Sequence, residues 1–378
     1  MMDYETLRII WWGLIGVLLI GFALTDGFDL GVGALLTLVG RTDNERRIMI
    51  NTIGPHWDGN QVWFITAGGA LFAAWPLVYA ASFSGFYFAL LITLAALWMR
   101  PVGFDYRSKM QSARWRTSWD WALFVSGIVP ALIFGVAFGN LFLGVPFEYD
   151  PMLRPSYGGG LMGLLRPFAL LAGIVSVCML LLHGATWLQL KTDGFIRQRS
   201  LKLGVILGIT TSVLFGLAGV WVGYLDGYQI TSVINTNGPS NPLLKTVTFV
   251  SGGWLANYSI YSWMLIAPAL GLLSPLACAY FSVKGKSGWA FVASSGTIIG
   301  IICTAGFSLF PFLMPSNSQI NSSLTVWDAT SSETTLMIMF VVACIFVPII
   351  LGYTIWGYWV MRGKVTQQHL DADNHSLY

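Results

Sequence analysis

Long apolar stretches separated by short polar segments set the pattern of this chain. A helix needs about 20 apolar residues to cross the hydrocarbon core of a bilayer. Nine stretches meet that length, at roughly 8–38, 48–79, 81–100, 119–145, 162–190, 203–224, 260–283, 287–312 and 335–361. The pattern therefore predicts an all-α, polytopic membrane protein with nine transmembrane helices, forming a single integral membrane domain over residues 1–378.

Composition supports this prediction. Of the 378 residues, 55% are hydrophobic and 10% are charged, whereas a soluble domain carries about a quarter charged residues. The 17 Trp and 14 Tyr fit aromatic belts at the membrane surfaces. A net charge of +3 is too small to indicate nucleic acid binding. The four cysteines stand singly in apolar stretches, so their spacing predicts no metal site.

Lysines and arginines indicate the orientation of the chain. Of the 20, sixteen fall on one side of the predicted membrane, and four fall on the other, namely Arg8, Arg154, Arg166 and Lys245. Positively charged loops stay in the cytoplasm. We therefore expect a periplasmic N-terminus and a cytoplasmic C-terminus, which requires an odd number of spans.

Acidic residues interrupt the first two apolar stretches. Asp26 and Asp29 lie in the first, and Asp58 lies in the second beside His56 and Asn60. An ionised carboxylate costs several kcal/mol in hydrocarbon, so such residues face protein or water and mark a functional pathway by default.

Asp29 and Asp58 are expected to lie at the same depth in one shared site. Asp29 precedes Gly40 by eleven residues and Asp58 follows Arg47 by eleven, which puts each about 16 Å from the same short loop if both segments are helical. Two carboxyls in a poorly solvated site repel each other when ionised, so one tends to keep a proton, as a proton relay requires. Fixed hydrogen bonds between helices are the alternative, above all for Asp26.

A cluster of basic residues follows the third apolar stretch, over 100–109. Most of its arginines are expected to anchor the chain on the cytoplasmic side. Asp105, an acid among these bases, is expected to pass protons inward toward Asp58. His183 is the only other histidine within the apolar stretches, and with no motif for a second ligand, no haem or metal is expected in this chain.

The chain as a whole resembles subunit II of the cytochrome bd-type quinol oxidases of bacteria. The resemblance lies in five segments in the same order, Thr25–Gly33, Pro55–Trp63, Arg100–Arg107, Pro311–Ser316 and Trp327–Ser332. It implies a complex in the bacterial cytoplasmic (inner) membrane that oxidises quinol, reduces O₂ to water and builds a proton gradient without pumping.

The resemblance also implies a division of labour and a fold. A partner subunit I would hold haems b and d and the quinol-oxidising loop, in a heterodimer with this chain. Subunit II would bind no haem, would fold as two four-helix bundles plus one peripheral helix, and could hold a quinone. A small single-helix accessory subunit is a further partner that the resemblance allows.

Site residues are implied by the same resemblance. The cytoplasmic proton route would use Asp105 and Lys109 at its mouth, Asp58 within the membrane, and Asp29 as a further member. The polar residues expected to support it are Asp26, His56, Asn60 and Arg100. Trp63, five residues past Asp58 and expected on a similar helical face, would line a path for O₂ into subunit I.

Two other functions remain open from the sequence. A proton-coupled secondary transporter would show inverted repeats and short, broken helix pairs at matching positions, and we find no such repeat. A purely structural assembly subunit would keep full activity after neutral substitutions at Asp29, Asp58 and Asp105.

Overall fold

The computed structural model describes residues 2–367 and is mostly helical, as the apolar stretches predict. Within that range, eight helices are long and apolar enough to cross a membrane. The α-helices are α1 (Tyr4–Val39), α2 (Asp43–Ile53), α3 (Trp57–Ala74), α4 (Pro76–Gly85), α5 (Tyr87–Tyr106), α6 (Ala113–Leu143), α7 (Pro167–Lys191), α8 (Gly194–Val222), α9 (Ala256–Ile260), α10 (Ile266–Val283), α11 (Ser287–Leu309) and α12 (Glu333–Val360).

The second apolar stretch divides into α2, α3 and α4, so the prediction of one continuous helix over 48–79 is wrong. Pro55 interrupts it first, because proline has no N–H to donate and its ring clashes with the carbonyl group four residues earlier in a helix. Pro76 interrupts it again, and Trp75 before it leaves helical geometry with φ of −130° and ψ of 72°. The third predicted helix, 81–100, is displaced by six residues as α5, because α4 occupies its start.

The long helices pack in two groups. α7, α8, α10 and α11 form a closed ring in which each helix contacts two others, as a four-helix bundle does. In the other group, α1 contacts α3 and α6, and α6 contacts α5. Trp57 of α3 meets Phe104 of α5 with 5.8 Å between ring centroids, which brings the outer members together.

Contacts of α6 and α1 with α7 join the two groups, and the α1 and α7 backbones approach closely. The helices cross at Gly31 and Gly184, where a Cβ on Gly31 would lie 2.9 Å from the Gly184 Cα and would overlap the carbonyl oxygen of Leu180. Only glycine permits two helix backbones to approach this closely. α12 stands outside both groups and contacts α1 and α3.

Short antiparallel hairpins cover the end of the molecule at which α1 begins, so the chain is not purely helical. Val145 and Ser316 form a bridge between two of these segments. The paired strands are β1 (Phe147–Tyr149) with β2 (Pro155–Tyr157), β3 (Asp226–Ile230) with β4 (Val247–Ser251), and β5 (Phe312–Met314) with β6 (Leu324–Thr325).

Candidate functional site

Asp26 is held by a buried arginine from another helix. Arg100 of α5 donates from Nη1 to one carboxylate oxygen of Asp26 and from Nη2 to the other at 3.3 Å. Both side chains are almost completely buried. A bidentate arginine–carboxylate contact of this kind balances both charges, so Asp26 belongs to a fixed ion pair. This agrees with the alternative that Asp26 only holds helices together.

Asp29 lies one helical turn further along α1 and lacks such a partner. Asn60 Nδ2 of α3 donates to its Oδ2 at 2.8 Å, while its buried Oδ1 has no hydrogen-bond partner in the described residues. Asp26, Asp29 and Arg100 together hold two carboxyls and one cation. An uncompensated charge is costly in a buried site, and Asp29 is the carboxyl of this cluster that has no cation bound to it.

The polar contacts continue from Asn60 to the last helix. Tyr358 of α12 donates its hydroxyl to Asn60 Oδ1 at 2.5 Å. His56, which precedes α3, stacks on the Tyr358 ring with 4.5 Å between centroids and an interplanar angle of 12°. The sequence predicts His56 and Asn60 as supporting residues but does not indicate Tyr358. A tyrosine near the end of an apolar stretch is more typical of an interfacial anchor.

Asp58 does not share this site. It is exposed in the isolated chain, whereas Asn60, two residues later on α3, is buried. Successive helical residues turn by about 100°, so the two side chains point about 160° apart, on nearly opposite faces of α3. Because Asn60 bonds Asp29, the expected match in depth holds to within a helical turn, but the expected shared site of Asp29 and Asp58 is wrong.

Asp105 and Lys109 are both exposed at the end of α5. Asp105 lies five residues past Arg100, which is about 7.5 Å along a helix toward the loop before α6. Within residues 2–367, neither side chain forms an ion pair. The structure therefore leaves Asp105 and Lys109 accessible at this end of the molecule and separate from the buried Asp26–Arg100 pair.

The sequence did not predict an ion-pair network that lies at this same end of α5. Buried Arg107 donates Nε to Asp120 at 2.6 Å and Nη2 to Asp43 at 2.8 Å. Arg46 donates to Asp120 at 2.7 Å, and Arg116 donates to Asp43 at 2.8 Å. The sequence feature that could have indicated this network is Asp120, an acid between two tryptophans at the start of an apolar stretch. The network ties the α1–α2 loop to the α5–α6 loop.

Trp63 and Asp58 lie on different faces of α3, which corrects the expectation of a similar face. Trp63 is half-buried and faces α1, where a Cβ on Gly21 would lie 2.5 Å from its ring. It joins a buried cluster that includes the mutually packed rings of Phe22, Phe64 and Phe134.

His183 uses both ring nitrogens in hydrogen bonds. Its Nδ1 lies 2.8 Å from Ser294 Oγ and its Nε2 lies 3.0 Å from the carbonyl oxygen of Leu24. Over residues 2–367, no three His, Cys, Asp or Glu side chains are grouped so that they could hold a metal ion.

A large apolar cavity lies between α1, α3, α4, α6 and α11. It has a volume of about 840 Å³ and is lined mainly by aromatic and aliphatic side chains. Trp75 lines it, is fully buried, and its indole N–H has no hydrogen-bond partner among the described residues.

Comparisons with known proteins agree with this architecture. Residues 7–361 match the family described as cytochrome bd terminal oxidase subunit II. This chain belongs to that family. It is 55% identical to cytochrome bd-I ubiquinol oxidase subunit 2 of Escherichia coli (strain K12), over the full length of both chains. It is 31% identical to cytochrome bd ubiquinol oxidase subunit 2 of Bacillus subtilis (strain 168), covering 96% of this chain and 98% of the relative.

A solved structure shares the fold. A chain from the bd oxidase of Geobacillus thermodenitrificans superposes with a TM-score of 0.67 at 16% identity, over 94% of this chain and 98% of that one. At this identity the likeness concerns the fold alone. Family membership and the apolar helices make the subunit II chain a multi-pass protein of the bacterial inner membrane.

Proposed function

We propose that this chain, as the haem-free subunit II of a bd-type ubiquinol oxidase, carries protons from the cytoplasm to a partner subunit I in which haems b and d reduce O₂ to water. The relatives named above are ubiquinol oxidase subunits. Quinol protons leave on the outer side, so the complex builds a proton gradient without pumping. The observation that carries the proton role is Asp58, a carboxyl exposed on the flank of a membrane helix.

Asp58 also indicates where the partner binds. Hydrocarbon would not tolerate an ionised side chain there, so protein or water has to cover it. The surrounding surface of α3 is apolar and exposed, including Val62, Ile65 and Phe72. We infer that subunit I docks on this face and receives protons from Asp58, with Asp105 and Lys109 at the cytoplasmic mouth of the route.

Asp29 is proposed as a second proton-holding carboxyl on the route. Its partner Asn60 lies on the same helix as Asp58, so the two carboxyls are within about one helical turn in depth. Asp26 and Arg100 then act as the fixed counter-charge beside it.

Contacts at the end of the molecule where α1 finishes support nine membrane crossings with a periplasmic N-terminus. The eight long helices and the divided second stretch together give nine. Arg199 pairs with Glu45 at 2.8 Å, so the α7–α8 loop lies with the α1–α2 loop. Lys191 donates to the carbonyl oxygen of Met361 at 2.6 Å, which brings the C-terminal segment to that end too. These segments carry most of the basic residues, as cytoplasmic loops do.

Replacing Asp58 tests the proton role. In the purified complex, we expect Asp58→Asn to lower quinol-dependent O₂ consumption at least tenfold, because the amide cannot exchange a proton at this position. The reduced-minus-oxidised haem spectrum should stay unchanged. Asp193→Asn is the matched control, since Asp193 is an exposed acid whose Lys364 partner lies outside the membrane segments.

Two outcomes would contradict this function. Full turnover of an intact Asp58→Asn complex would favour a purely structural subunit. Purification of the chain alone, colourless and without a haem-bearing partner, would favour a proton-coupled transporter.

The apolar cavity is the proposed quinone site. Its volume and lining fit an isoprenoid tail, and the fully buried Trp75 side chain forms part of its wall. When bound, a quinone supplies a two-electron carrier, while the residues here bind and shield it. We expect Trp75→Phe to reduce the quinone that copurifies with the complex, and Trp263→Phe, an exposed tryptophan outside the cavity, to leave it unchanged. Equal retention in the two variants would refute the site.

Two further roles are carried over from the family resemblance as proposals. Trp63 and the phenylalanine cluster around it would line the path of O₂ toward subunit I. A small single-helix accessory subunit stays a prediction without an assigned surface.

A further inference from the structure

Tyr358 connects the most exposed membrane helix to the buried carboxyl site. Only 6% of the most apolar window of α12 is buried. Tyr358 is the exception near its cytoplasmic end, because it donates to Asn60 and stacks on His56. A hydrogen bond from the Lys191 side chain holds this end of the helix, with Nζ donating to the Met361 carbonyl oxygen at 2.6 Å.

Asn60 is held with its N–H groups toward Asp29, and the Tyr358 hydroxyl supplies the donor to its carbonyl end. Asn60 Nδ2 donates to Asp29 Oδ2 at 2.8 Å and to the Thr25 carbonyl oxygen at 3.3 Å. The Thr25 oxygen can only accept, and the Tyr358 O–H supplies a donor to Asn60 Oδ1 at the opposite side. An amide has distinct donor and acceptor ends, so these contacts keep its N–H groups toward the Asp29 carboxyl.

The direction of this amide biases the protonation of Asp29. A donor facing a carboxyl stabilises the ionised form, while a carbonyl facing it stabilises the protonated form. Asp26 and Arg100 neutralise each other beside it. Other titratable groups on the elements around Asp29 are His56, Tyr358 and, on α7, His183, whose ring nitrogens are already bonded. Lys191 of α7 donates to the Met361 carbonyl oxygen, and Asp58 of α3 is exposed.

We propose that Tyr358 is a positioning residue for the proton on Asp29, acting through Asn60 and linking proton occupancy to the seating of α12. Its relevance to O₂ reduction rests on the proposed function, in which protons held by Asp29 enter the reaction. The positioning role itself concerns only hydrogen bonds within this chain.

The test replaces the hydroxyl alone in the complete complex. Tyr358→Phe keeps the ring on His56 and leaves Asn60 Oδ1 without its donor. The infrared C=O band of protonated Asp29 is assigned by its loss in Asp29→Asn. In Tyr358→Phe, we expect this band to persist to a pH about half a unit higher, because loss of the hydrogen bond to Oδ1 weakens donation from the Asn60 N–H to the ionised carboxyl. Tyr353→Phe, an exposed tyrosine on the same helix, should leave the band unchanged.

A second variant tests the path through Asn60. Adding Tyr358→Phe to Asn60→Leu should cause no further shift, since the connecting amide is already absent. Identical titration in Tyr358→Phe and Tyr353→Phe, or a further shift in the double variant, would overturn the proposal. If Asp29→Asn keeps full turnover while Tyr358→Phe still shifts the band, the positioning role stands and the proton role of Asp29 in the oxidase fails.

Discussion

At the scale of single residues, burial separates acids that look alike in the sequence. Asp26, Asp29 and Asp58 all interrupt apolar stretches, yet the first is paired with Arg100, the second has one unpaired oxygen and the third is exposed. The reason is angular: each side chain leaves its helix in a different direction, and a neighbouring helix supplies the partner. Their chemistry therefore differs although their residue type does not.

The Asp26–Arg100 pair gives a prediction at this scale. Removing one partner of a buried pair leaves an uncompensated charge and costs about 3–5 kcal/mol. We expect Arg100→Met to lower the thermal midpoint and the yield of assembled complex in detergent. Replacing both residues, as Asp26→Leu with Arg100→Met, should restore most of the stability. A double variant as unstable as Arg100→Met would show that the pair does more than balance charge.

At the scale of helices, glycines decide how closely the two groups approach. Sequence hydropathy correctly located most long helices, because the need for about 20 apolar residues is a local property. It failed at the second stretch, where prolines divide an apolar segment without lowering its hydropathy. It also could not predict that α1 would cross α7 at Gly31 and Gly184.

The α1–α7 crossing predicts a position-dependent effect of adding one methyl group. Gly184→Ala would place a Cβ 2.6 Å from the Val32 nitrogen, so the helices must separate. We expect a loss of about 1–3 kcal/mol, as for overpacked cores, measured as a lower thermal midpoint. Gly219→Ala, in α8 with open space around its Cβ, should be neutral or slightly stabilising because alanine favours helix. Similar effects of both substitutions would contradict close packing as the cause.

At the scale of the whole molecule, ion pairs join loops that are distant in the chain. Glu45 illustrates this, because it caps α2 and also binds Arg199 from the start of α8. Partial burial alone would raise the pKa of Glu45, but hydrogen bonds from Arg199 and from the backbone of Arg41 and Thr42 lower it overall. A carboxyl with a lowered pKa stabilises the fold at neutral pH.

A pH dependence follows from Glu45. Its contribution is complete above its ordinary pKa of 4.5 and is lost as pH falls through the lower pKa of the folded state. Glu45→Gln should therefore lower the thermal midpoint at pH about 7 more than at pH about 4. In an Arg199→Gln background, Glu45→Gln should show a smaller difference, because the main partner of Glu45 is already absent. Equal losses at both pH values would contradict the linkage.

The sequence by itself determined the membrane class, most helix positions, the asymmetry of basic loops and the motifs of the family. These properties are local or additive along the chain, so they survive without knowledge of packing. Only the tertiary structure shows that Arg100 neutralises Asp26 and that Asn60 bonds Asp29. It also shows that Tyr358 donates to Asn60, although the two are 298 residues apart in the chain. Such pairings depend on helix rotation and on contacts between distant segments, because a buried polar group takes whichever partner the neighbouring helices present.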